Sequence, residues 1–271
     1  DKLDEISKMQ RIYGAKPIFS FKNSIFVSAL SGSTVYGITS DGKIYSTDAR
    51  DKDPRLVGAI DTALGSPVSA MYSDSANVLY VLTNKPTVWA YDPQSQSGVE
   101  ILITDGSPWE IGTSIAVYST NIYLLEPIAG KIWKHGQESS SFSKGTTYST
   151  SKNIDALGGT SISVDGSVYV LKLDGTVVKF NHGTVDSSFT LAKPPKPTET
   201  ISQATQIFSD ADSQNIFILD KSQNRIIKSA KDGIFISQYT IDSKKIDNFL
   251  VNPRVQKMWI ICDKDVYELD I

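Results

Sequence analysis

Short apolar runs recur along the chain in a fixed order. A pair of apolar or aromatic residues opens an alternating segment, a short polar turn follows, and a second alternating segment comes after it. The pairs are Val35-Tyr36, Leu79-Tyr80, Ile122-Tyr123, Val168-Tyr169, Ile216-Phe217 and Met258-Trp259. Their aromatic members lie 44, 43, 46, 48 and 42 residues apart. The second segments begin near Ile44, Val88, Ile132, Val177, Ile226 and Val266. Alternation of period two predicts strands, and a recurring period of this length predicts a repeat architecture.

The connections agree. Asp41-Gly42 and Asp174-Gly175 supply the positive-φ residues that tight hairpins favour. A further strand precedes each copy: Phe26–Leu30, Val68–Tyr72, Ile115–Tyr118, Ser161–Val164, Gln206–Ser209 and Phe249–Val251. A fourth follows several copies, at Leu56–Ile60, Val99–Ile103, Ser188–Leu191 and Ile234–Tyr239. Four strands in about 45 residues, repeated six times, predict an all-β, six-bladed β-propeller with four-stranded antiparallel blades. Residues 1–271 read as one domain, with residues 1–10 as the end of an upstream linker or helix. The last copy stops at Ile271, after its third strand. An N-terminal strand, Met9–Tyr13 or Pro17–Phe21, is therefore expected to complete the last blade and close the ring, removing an exposed edge.

Asn215-Ile-Phe-Ile-Leu-Asp220, Asn224-Arg-Ile-Ile-Lys228 and Asp232-Gly-Ile-Phe235 together resemble one NHL repeat, and Val168-Tyr-Val-Leu171 with Asp174-Gly-Thr-Val177 is similar. On these residues the chain resembles the six-bladed propellers of the NHL and TolB-like superfamily. That resemblance implies the fold and no particular activity. Streptogramin lyases and several lactonases share this kind of ring and keep a metal or histidine in the channel. A metal-dependent lyase or lactonase is therefore the alternative reading. No His or carboxylate set recurs at equivalent inner-strand positions to match it.

Composition narrows the partners. Lys and Arg total 27 against 30 Asp and Glu, a net charge of -3, so the basic footprint of a nucleic-acid binder is absent. No apolar run approaches the ~18 residues of a membrane span, so no membrane insertion is expected within this sequence. The single cysteine, Cys262, excludes an intramolecular disulfide and a cysteine-based zinc site, and is expected to be a buried small hydrophobe. Serine and threonine number 35 and 20, a hydroxyl-rich balance that favours an extracytoplasmic or cell-surface location.

Catalytic chemistry finds no motif: there is no G-x-S-x-G elbow and no Gly-rich phosphate loop. The two histidines, His135 and His182, read as exposed turn residues on neighbouring blades. No catalytic residue, metal or cofactor is expected. Function is expected on one face of the ring, where the turns between second and third strands meet the loops between blades. That face would carry Asn23, Asp41, Trp109, Glu110, Glu126, Asp174, Asp220, Asp247 and Asp263. Trp109, after Asp105-Gly-Ser-Pro108, suits carbohydrate or peptide contact if exposed and blade packing if not. Lys193–Pro197 should be an extended polyproline II connection, and residues 136–151 a loose outer strand with a long loop. The leading function is a non-enzymatic, monomeric ligand- or protein-binding module for a protein, peptide or glycan. It would be the sensor or interaction domain of a larger bacterial-type protein tied to a membrane upstream.

Overall fold

A computed structural model describes residues 2–138, 141–149 and 155–271. It is an all-β ring of six blades. Each blade places its inner strand on the axis and its later strands progressively outward. Blade one, for example, runs through Val27–Ser31, Thr34–Ile38, Lys43–Asp48 and Arg55–Ala59. The inner strands of the other blades are Pro67–Ser73, Ser114–Tyr118, Gly159–Val164, Ala204–Phe208 and Asn248–Asn252. Among the described residues the only α-helix is Lys2–Ser7, and no helix is long and apolar enough to cross a membrane.

The second strands explain the apolar pairs of the repeat. In Val78–Thr83, Asn121–Glu126 and Asn215–Asp220 every residue after the first is buried. Both faces of a second strand pack on neighbouring blades, so its sequence is a nearly continuous apolar run and not a strict alternation. The core is accordingly divided. Each of six hydrophobic clusters lies between two adjacent blades, from Tyr36 with Tyr72 between blades one and two to Phe217 with Phe249 between blades five and six. The repeated aromatic sits in these seams: Tyr36 stacks on Tyr72 at 5.5 Å, Tyr80 meets Phe142 edge-on at 5.8 Å, and Tyr123 meets Tyr148 at 5.6 Å.

Closure uses both N-terminal segments, in different blades. Phe19–Ser20 pairs antiparallel with Asp265–Asp270 and completes blade six. Backbone bonds from Ile18 to Val266, Phe21 to Lys264 and Ile25 to Asp263 extend this zipper. Met9–Ile12 instead pairs in parallel with Phe235–Ile241, giving blade five a fifth strand. Residues 9–12 are thus part of a blade and not of a linker.

Other local expectations change. The outer strand of blade four is Thr184–Val185, not Ser188–Leu191. His182 and Gly183 take φ of 49° and 84°, the twist of a tight hairpin, which turns the chain back four residues earlier. Phe189 then packs on Tyr169 in the seam to blade five. Lys193–Pro197 is not uniformly extended: the Lys196–Pro197 bond is cis, and Thr198 N–H bonds to Pro195 O at 2.9 Å in a turn. In the segment 136–151 the outer strand is only Thr146–Thr147, and residues 139–140 and 150–151 lie outside the described residues.

Candidate functional site

The up-down path of each blade puts the turns between second and third strands, and the loops between blades, on one face. The residues expected to bind there fall into two groups. Asn23, Asp41, Glu110, Asp174 and Asp263 are exposed, and Asp247 is half-buried. Most of these already have local partners. Asp41 accepts from Lys43 Nζ at 2.5 Å and from Thr39, which hold its carboxyl below the usual carboxylate range. Asp174 accepts the Thr176 N–H at 3.0 Å, and that bond lowers its pKa in the same way. Asp247 accepts the Asp263 N–H at 2.7 Å.

Trp109, Glu126 and Asp220 correct the expectation: their side chains are buried. Trp109 is 2% exposed and packs edge-on to His135 in the seam between blades two and three. An indole buries more apolar area there than it could on a loop. The Glu126 carboxylate is consumed by the Glu110 N–H and the Trp133 indole N–H, each at 2.8 Å. Asp220 forms an ion pair with Arg225 at 3.0 Å, with neither side chain exposed.

His135 is also buried, against its expected place on a surface turn, whereas His182 is exposed. The His135 Nδ1–H donates to Ser143 O at 2.9 Å and Nε2 has no partner, so the ring is neutral and burial pushes its pKa down. Below about pH 6.5 the unfolded chain therefore takes up a proton that the folded chain refuses. Stability should fall from that pH downward, until the folded-state pKa is reached. Denaturant midpoints measured from about pH 6.5 to about pH 5 should drop more steeply for the natural chain than for His135→Gln, by up to about 1.4 kcal/mol per pH unit. Parallel curves would show that His135 does not resist protonation.

The axis is open, in the channel where the alternative reading put its site and where no binding residue was expected. Inner strands of all six blades line a well of about 450 Å³. It opens between the turns at Asp74-Ser75, Ser119, Asp210–Asp212 and Pro253–Val255, on the face opposite the expected one. None of the residues expected to bind lines it.

A row of polar side chains at one level of the inner strands keeps this axis open. Ser69, Ser114, Ser161, Gln206 and Asn248 occupy equivalent positions, each opposite the residue two past the repeated aromatic, at spacings of 45, 47, 45 and 42 residues. An inner strand is an edge strand, and its axial N–H groups need partners. The row supplies them from the preceding blade. Ile115 N–H donates to Ser69 Oγ at 3.1 Å, Ile162 N–H to Ser114 Oγ at 3.1 Å, and Ile207 N–H to Ser161 Oγ at 3.3 Å. Gln206 both accepts from Phe249 N–H at 3.1 Å and donates to Phe249 O at 2.8 Å. Blade one breaks the series: Val27 holds that position, and the hydroxyl of Ser28, one residue on, is buried with no partner among the described residues. The serine recurring near the start of the inner strands, as in Ser69-Ala70, Ser114-Ile115 and Ser161-Ile162, was the signal in the sequence for this wall.

The wall combines those hydroxyls with aliphatic and aromatic surface from Leu30, Met71, Val117, Phe208 and Leu250. Its mouth carries Asp74, Asp210 and Asp212 around Arg254, whose Nε donates to Asp212 at 2.6 Å. Among the described residues no group of three His, Cys, Asp or Glu side chains is placed to hold a metal ion. Cys262 is buried within a blade seam, where desolvation pushes its thiol up to about 12, so it is not a ready thiolate at neutral pH.

No family model and no curated protein sequence matches the chain. Solved structures do. A chain of the Kuenenia stuttgartiensis hydrazine synthase superposes with a TM-score of 0.65 at 10% identity, over 93% of this chain and 97% of that one. A chain of a mitotic checkpoint complex gives 0.64 at 10% identity, over 95% and 92%. A chain of a nidogen/laminin complex gives 0.59 at 10% identity, over 80% of each. At such identities the likeness is one of fold: this chain shares the β-propeller ring with them.

Proposed function

We propose that the ring is a non-enzymatic binding module and that part of its ligand enters the axial well. The observation that carries this reading is the well itself. It is ligand-sized, apolar along much of its wall, and given direction by a few polar groups, which is the usual anatomy of a small-molecule or side-chain pocket. A metal-dependent lyase or lactonase would need metal donors converging on the axis, and among the described residues the carboxylates of the mouth, Asp74, Asp210 and Asp212, form no such group.

A second reading keeps the opposite face as a docking surface for a protein, peptide or glycan, through the exposed Asn23, Asp41, Glu110, Asp174 and Asp263 with Asp247. It draws on an independent observation: Ile111, Ile128, Leu157 and Leu173 are exposed on that face in blades three and four. Gly158 N–H bonds to Pro127 O at 3.1 Å, so the turns carrying Leu157 and Ile128 adjoin.

One experiment separates the readings. Blocked tetrapeptides and small oligosaccharides are titrated by calorimetry into the natural chain, Met71→Trp and Ile128→Glu. If the well is the site, filling it with Met71→Trp weakens binding by about tenfold or more, and Ile128→Glu does not. The reverse pattern selects the outer face. Binding that neither change weakens would overturn both readings. The finer assignment, a monomeric sensor domain of an extracytoplasmic protein of the NHL and TolB-like kind, draws on the fifth repeat and the hydroxyl-rich composition. The sequence encoded upstream, read for a signal or membrane helix, tests it.

A further inference from the structure

We infer that the axial well receives an organic cation, an ammonium or guanidinium group on an aliphatic stem. The inference rests on the reading of the well as the binding site and names the chemistry it selects.

Charge is the first consideration. Three carboxylates of the mouth, Asp74, Asp210 and Asp212, face one guanidinium, Arg254. Nearby, Asp165 is neutralised by Lys231 at 2.7 Å and accepts from Ser209 Oγ at 2.6 Å, so it neither adds to nor offsets the balance. Arg254 forms its ion pair with Asp212. Asp74 has only a long bond from Ser31 Oγ, at 3.3 Å, and Asp210 accepts the Asp212 N–H at 2.8 Å. The rim therefore holds an excess of negative charge at the entrance to a low-dielectric cleft, which concentrates cations and repels anions.

The wall supplies the second consideration. Below the rim, Leu30, Met71, Val117 and Leu250 offer surface for a methylene stem, and Phe208 and Tyr118 offer aromatic surface to a cation. A stem laid along such a wall keeps its charged end at the carboxylates, as long basic side chains do at protein surfaces.

Ser28 is the third and independent observation. It is 8% exposed and lines the well, and among the described residues its hydroxyl has no hydrogen-bond partner. A buried hydroxyl left unpaired is costly, and a ligand that carries a second polar atom on its stem would relieve it. The well thus has an unmet polar contact within its wall and unmet negative charge at its rim.

The test uses probes matched in shape. Pentylammonium, pentanol and pentanoate are titrated into the full chain and followed by the Met71 methyl resonance. The chain holds three methionines, Met9, Met71 and Met258, so that signal is readily assigned. Pentylammonium should shift Met71 and spare Met258, and should bind about tenfold more tightly than pentanol. Pentanoate should bind least. Raising salt from about 20 mM to about 300 mM should erode the preference for the cation. In Asp74→Asn with Asp212→Asn, pentylammonium should fall to the affinity of pentanol, while pentanol is unchanged. Equal binding of pentylammonium and pentanol to the natural chain would overturn the cation inference and leave the well as the site. No shift of Met71 with any probe would overturn both. A blocked lysyl tetrapeptide distinguishes the sources. Tighter binding than pentylammonium supports a cationic side chain on a polypeptide, and weaker binding supports a free amine; exclusion of both overturns the inference.

Discussion

Arg225→Met is expected to destabilise the chain by about 3–5 kcal/mol, read as a shift of the urea midpoint. Arg225 is fully buried, and each of its five N–H groups has an acceptor. Nε and Nη2 donate to Asp220 at 3.1 and 3.0 Å, Nη1 to Thr198 O and Gln238 Oε1 at 2.7 Å, and Nη2 to Thr200 O at 2.8 Å. Gln238 in turn donates to Ser7 O at 2.7 Å and Thr198 Oγ1 at 2.9 Å. One guanidinium therefore joins three strands of blade five and the connection from blade four, and through Gln238 the N-terminal segment. Methionine fills much of the volume but leaves the Asp220 carboxylate buried without its counter-ion. The double change Asp220→Asn with Arg225→Met should recover part of the loss, because the stranded charge is gone. A loss below about 1 kcal/mol for Arg225→Met would mean that water reaches the site and the network contributes little.

The second large effect is expected at the closure. Deleting residues 1–14 removes the parallel strand of blade five and the Ser7 acceptor, but keeps Phe19–Ser20 on blade six. The shortened chain should still unfold cooperatively, at a lower midpoint. Deleting residues 1–24 removes the closing strand as well. Phe19 and Phe21 are buried beside Trp259, and truncating a buried Phe costs about 3–5 kcal/mol. Two such losses are comparable with the ~5–15 kcal/mol that stabilises a whole domain. The edge of Asp265–Asp270 would also be open to pairing with other chains. The longer deletion should abolish the sharp transition and raise aggregation, as seen in size-exclusion profiles. Phe21→Ala is the point test, with a loss of about 3–5 kcal/mol. Gly37 explains the close fit: a Cβ there would lie 2.9 Å from Phe21 Cζ, so the closing segment rests on bare backbone. A cooperative transition retained by the longer deletion would show that the seams alone hold the ring.

The blade count and the closure were legible because two-sided burial writes a continuous apolar run into every second strand. The second N-terminal strand was not. Met9–Ile12 buries only its end residues, and even those partly, so its alternation is too short to choose a partner. Thr184–Val185 failed for the same reason, since a two-residue strand has no period. The face was misjudged at Glu126 and Asp220 because turn position was taken as exposure, while the seams extend up to those residues; Trp109, which suited either contact or packing, falls to packing for the same reason. The channel was weighed only as a metal site, and its lining was missed because much of the wall is built from serines, which look like surface composition until their spacing is matched to the inner strands.

The six separate seams bear on how such a chain diverges. Each seam involves two blades, so a substitution in one is answered by its immediate neighbours and need not be reconciled with a single shared centre. Residues can drift seam by seam while the ring survives. Meanwhile the turns that frame the mouth of the well, carrying Asp74, Asp210, Asp212 and Arg254, belong to different blades and sit outside the seams. They can be exchanged one at a time, so the chemistry of the mouth can change without disturbing the architecture. A ring with these properties would keep company with propellers at 10% identity while matching no family model, as this chain does.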